Sequence, residues 1–129
     1  MIDKKYIVAI NGKPFITYEG LLHAAHEKGL GSIEVEIIQY PTEENNMTAV
    51  TTASVRGKDG QFFIDIGDAS PASCVSKLVP HLLRISSTRA KARALRDLTD
   101  VGMCSLEELG ESETNLRPVA SPIRQQFAK

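Results

Sequence analysis

Tryptophan is absent from the chain, aromatic residues make up 5% of it, and cysteine occurs twice in 129 residues. Cys74 and Cys104 stand thirty positions apart with no second ligand type beside either. A disulfide framework or a zinc site needs a closer pattern, so both are expected to act as small hydrophobes. No run approaches the roughly 18 consecutive apolar residues of a membrane-spanning helix. The opening Met-Ile-Asp-Lys-Lys-Tyr has neither the apolar stretch nor the cleavage site of a secretory signal. The expectation is a cytoplasmic protein without a membrane segment. A Gly-rich phosphate loop, a nucleophile elbow and a Cys/His signature are missing too, so the sequence supports no catalysis and implies no cofactor.

One sign of charge is also missing, but only locally. Residues 1–68 carry six Lys or Arg against ten acids, residues 69–96 six against none, and residues 97–129 three against six, hidden within a total of −1. The acid-free stretch uses Arg four times and Lys twice. A solvated helix face normally pairs Glu with Lys, and a preference for Arg favours recognition of oxyanions. Such a stretch makes a local positive field that attracts phosphate.

The hydrophobic residues, 42% of the chain, are enough for one core. They predict an α+β domain over residues 1–110, followed by a flexible Pro- and Ser-containing tail over 111–129. Residues 5–16 read as a hairpin about Asn11-Gly12, and 17–29 as a short helix closed by Gly29 and Gly31. Alternation of Ile33, Val35 and Ile37 with Glu34 and Glu36 marks a strand over 32–40. Two more follow over 48–56 and 61–66 across the 57–60 turn, giving an antiparallel three-stranded meander. Ser70 and Pro71 read as a cap and first helical residue. One long helix then packs on the sheet, interrupted at Pro80, with its main part over 80–101 and its end at Gly102. Ser105-Leu-Glu-Glu108 is a capping box for a last turn.

At 100° per residue, Leu83, Ser87, Ala90, Ala94, Leu98 and Val101 form the stripe that faces the sheet. Arg89, Arg93 and Arg96 fall within about 60° of one another on a second side and are expected to project together, while Arg84 and Lys91 share a third. Three guanidinium groups along roughly 10 Å of helix match the spacing of phosphates on a nucleic-acid strand. His23 and His26 with Glu27, and Asp65 with Asp68, have metal-like spacing. Surface exposure explains the first group more simply, and turn formation the second.

The run Ala53-Ser-Val-Arg-Gly-Lys-Asp-Gly-Gln-Phe-Phe-Ile-Asp-Ile-Gly-Asp68, followed by Thr88-Arg-Ala-Lys-Ala-Arg-Ala-Leu-Arg96 and Leu-Glu-Glu-Leu-Gly110, resembles the single-strand annealing superfamily of the Rad-fifty-two type. It looks closest to the bacterial DNA-damage-response A proteins, over residues 17–110. That resemblance implies a ring or arc of many copies holding single-stranded DNA by its backbone, with no ATP and no metal. It assigns an inner groove to Arg93 and Arg96, with Arg89 and Lys91 as local variants of the same cluster and Thr88 beside it, and an outer path, a second site for duplex DNA, to Lys58 in the hairpin turn; Arg84 and Arg56 are further candidate DNA contacts of this chain. The tail from Ser112 to Lys129 is either a binding segment for a single-strand-binding protein or simply disordered, and base rates favour disorder. Eukaryotic members carry a DNA-contacting arginine in the early helix, where this chain has Leu21-Leu22-His23.

The function expected is therefore non-enzymatic: annealing of complementary strands, or protection of DNA ends, in recombinational repair. The scarcity of aromatics agrees with backbone holding rather than base stacking. The alternative is a small regulatory module whose basic helix binds an acidic partner protein.

Overall fold

Asn11 and Gly12 both take positive φ, 54° and 78°, the geometry of a tight primed turn. They fold Ile7–Ile10 (β1) back on Lys13–Ile16 (β2), with Val8 opposite Phe15. The computed structural model describes residues 2–74 and 81–106. After the hairpin, the Thr17 hydroxyl accepts a hydrogen bond from the Gly20 N–H at 3.1 Å and starts Tyr18–Lys28 (α1). Gly29 ends that helix at φ 98°, a conformation that glycine adopts without a Cβ clash.

Leu30–Gln39 (β3), Ala49–Gly57 (β4) and Phe62–Ala69 (β5) form an antiparallel sheet in the order β3-β4-β5. Leu82–Thr99 (α2) packs across β4 and β5. The α+β architecture is that expected from the sequence. Period-two alternation sets the faces: Ala49, Thr51, Ala53 and Val55 are buried under α2, while Thr52, Ser54 and Arg56 point to the other side. Small residues bring the helix close, and Gly67 is the nearest point. A Cβ there would run into the Ser86 carbonyl oxygen and the Ala90 main chain.

The main core joins Ile16, Leu21, Ala25, Ala53, Val55, Ala90, Ala94, Leu95 and Leu98. It shows that α2 has two buried sides. One lies on the sheet, and the other, through Ala92 and Leu95, shares a cluster with Leu21 and Ala25 of α1.

Several boundaries shift. The last strand runs on to Ala69, three residues beyond the expected Ile66, because its register with β4 continues to Ala49↔Ala69. Ser70 and Pro71 do open a helical turn, but a short 3-10 one, Pro71–Ser73. The long helix stops at Thr99 and is capped by Asp100 in the left-handed region at φ 60°, before Gly102. The expected interruption at Pro80, the turn following the Ser105 capping box and the tail from 111 lie outside the described residues.

Candidate nucleic-acid interface

The three arginines do share one side of α2, but that side meets the edge of β5 rather than open water. The Gly57 N–H donates to the Gln61 carbonyl at 2.9 Å. Together with the register, this makes Val55↔Phe63, Ala53↔Asp65 and Thr51↔Gly67 the hydrogen-bonded pairs between β4 and β5. The residues between them, Ile64, Ile66 and Asp68, turn their main-chain groups off the free edge of β5. Arg93 Nη1 donates to the Ile66 carbonyl at 2.8 Å, Arg89 Nη1 donates to the Asp68 carbonyl at 3.0 Å, and the Asp65 carboxylate accepts from the Ile66 N–H at 2.8 Å. Side chains thus close this part of the edge, in the way exposed edges are commonly protected.

Arg89 is the most committed of the three and corrects the sequence expectation. It is 6% exposed, and its fork also donates to the Ser73 hydroxyl at 3.2 Å and the Ser73 carbonyl at 3.0 Å. It fastens the loop after β5 to α2. Arg93 keeps part of its side chain in water and approaches Asp68 at 3.9 Å. Arg96 donates to the Gly102 carbonyl at 3.3 Å. A cleft of about 370 Å³ gathers Arg93 and Arg96 with Asp65, Asp97 and Asp100. Three carboxylates there offset two guanidinium groups. The acid-free stretch of sequence therefore does not give an acid-free site, because β5 brings Asp65 across.

The other pair, Arg84 and Lys91, stands away from the β5 edge, with Arg84 exposed and Lys91 half-buried. Arg84 is exposed, and its guanidinium has no partner among the described residues. Lys91, two helical turns along and roughly 10 Å away at 1.5 Å per residue, lies with its ammonium 5.5 Å from the Tyr18 ring. Thr88 stands between them, its hydroxyl donating to the Arg84 carbonyl at 3.2 Å.

Beside this row α2 leaves β3 uncovered. A groove of about 510 Å³ is lined by Val35, Ile37, Thr51, His81, Leu83, Arg84 and Ser87 and holds no carboxylate among its described lining residues. The Thr51 hydroxyl at its floor is buried and has no hydrogen-bond partner among the described residues.

Arg56 and Lys58 sit at the opposite end of the sheet from Arg84. The Arg56 guanidinium lies 4.2 Å from the centre of the Phe62 ring, on the sheet face away from α2. Lys58 occupies the hairpin turn, whose Lys58 N–H donates to the Gly29 carbonyl at 2.6 Å, and its side chain is exposed. The eight residues thus fall into three groups: Arg84, Thr88 and Lys91 away from the β5 edge; Arg89, Arg93 and Arg96 on the β5 side; Arg56 and Lys58 at the hairpin.

Of the weaker candidates, His23 pairs with Glu27 at 3.3 Å in solvent. No cluster of three metal-ligating side chains occurs among the described residues. No helix among them is long and apolar enough to cross a membrane. No protein-family model matches the chain, and no curated protein matches it.

Proposed function

We propose that this protein is a non-enzymatic single-stranded DNA-binding protein that assembles from several copies, holds the strand by its phosphates and leaves the bases free to pair with a complementary strand. Annealing, or protection of DNA ends, in recombinational repair is the corresponding role. The observation that carries the reading is the outward row Arg84, Thr88 and Lys91 beside a groove without described carboxylates. A guanidinium and an ammonium without a carboxylate partner, roughly 10 Å apart along one side of the helix, give sequence-independent affinity for a phosphate backbone. Arg93 and Arg96 provide less, since Asp65, Asp97 and Asp100 share their cleft. The sequence resemblance to single-strand annealing proteins supports the same reading.

Self-assembly has a structural counterpart in the face away from α2. Phe62, Ile64 and Ile66 form an exposed apolar column along β5, more contiguous apolar surface than scattered exposed residues leave. Size-exclusion chromatography with light scattering, run with a labelled poly-pyrimidine oligonucleotide, tests the reading. A many-subunit species that carries the oligonucleotide at low salt and releases it at high salt is expected. A small species that ignores the oligonucleotide at both salt concentrations overturns it.

A further inference from the structure

The two free edges of the sheet are treated differently. On β5, Arg93, Arg89 and Asp65 occupy the outward main-chain groups of Ile66 and Asp68. On β3 nothing equivalent is present. The Lys58 N–H bond to Gly29 and the register show that even-numbered β4 residues bond toward β3, through Ser32↔Arg56, Glu34↔Ser54 and Glu36↔Thr52. Ile33, Val35 and Ile37 therefore aim their N–H and C=O groups away from the sheet, and no side chain caps them among the described residues.

The side chains along this edge have two characters. Val35 and Ile37, 41% and 40% exposed, face the groove beside Leu83. Glu34 and Glu36, both exposed, face the opposite side. A strand laid on this edge would place alternate side chains in the apolar groove and the others against two carboxylates.

We propose that the β3 edge accepts one extended peptide strand from a partner protein, with apolar residues alternating with Lys or Arg. A second copy of this chain fits poorly. Pairing β3 with itself in the register that uses all three open residues sets Glu34 opposite Glu36 of the second copy, and like charges directly opposite destabilise a sheet. Its β5 edge is closed at both main-chain groups of Ile66 and at the Asp68 carbonyl. The added strand gains main-chain hydrogen bonds from the edge, specificity from the groove and charge pairing from the two glutamates. The peptide and the DNA strand would border the same groove, but neither reading needs the other, and the peptide test is made without DNA.

The test is fluorescence anisotropy of the full chain with a labelled heptapeptide Lys-Val-Lys-Ile-Lys-Val-Lys, compared with the same residues scrambled, with alternate backbone nitrogens methylated, and with Glu in place of Lys. The alternating Lys peptide binds about tenfold more tightly than its Glu counterpart, as two reversed cross-strand charge pairs require. The double variant Glu34→Lys with Glu36→Lys, whose circular dichroism matches the parent because both positions are exposed, reverses that preference. Equal binding of the scrambled or methylated peptide would show charge attraction alone and overturn the proposal. So would no binding at millimolar peptide.

Discussion

Replacing Gly67 by alanine lowers the unfolding temperature by about 10–20 °C, the largest effect expected of a single methyl group in this protein. The residue lies in β5 where the strand meets the middle of α2. The atoms in the way of a Cβ are main-chain atoms of Ser86 and Ala90 rather than movable side-chain ends. Rotamer adjustment cannot relieve that contact. The helix must lift, loosening Ala90 and Ala94 against Ala53 and Val55 in the same core. Overpacking of this kind costs about 3 kcal/mol, which a domain of this size expresses as the stated shift. Thermal denaturation followed by circular dichroism measures it. A variant melting with the parent would mean that α2 does not approach β5 as closely as described.

The second large effect belongs to Arg89, and it separates a structural arginine from a DNA-binding one. Arg89→Ala removes the donor to the Asp68 and Ser73 carbonyls and leaves the Ser73 hydroxyl with only the Ser70 N–H, in a part-buried site. Losing these part-buried hydrogen bonds and the packed side chain costs about 2 kcal/mol. Lysine restores the charge but not the planar fork that reaches three acceptors, so Arg89→Lys recovers only part of the loss. Urea denaturation reads the stability. Below the transition, the salt dependence of oligonucleotide binding is unchanged. A fully stable Arg89→Ala protein with weakened DNA binding would return Arg89 to the interface.

These two residues also show where sequence reading succeeds and where it stops. The meander was legible because Ile33, Val35 and Ile37 alternate with glutamates, and because Asn11-Gly12 and the 57–60 segment carry strong turn chemistry. The sheet-facing stripe of α2 was legible through Ala90, Ala94 and Leu98. Its second buried side was not, since Ala92 and Leu95 become interior only through α1, sixty or more residues earlier in the chain. The arginines were the hardest case. On a helical wheel Arg89, Arg93 and Arg96 look the same whether they reach solvent or the edge of a strand, and only the non-local placement of β5 decides. The same strand carries Asp65 into the cleft, turning a run without acids into a balanced site. Arg84 and Lys91, grouped apart on the wheel, were the pair left without a carboxylate partner among the described residues.

The measurement that tests the account most directly is the slope of log affinity against log salt for an oligo-pyrimidine strand, in the parent and in the double variant Arg84→Ala with Lys91→Ala. Each phosphate contact contributes about 0.7 to that slope for a single strand. The account predicts weaker binding at low salt and a slope flatter by about 1.4 in the variant, with unfolding temperature unchanged because both side chains stand outside the core. An unchanged slope and affinity would contradict it and move the phosphate contacts off the outward face of α2.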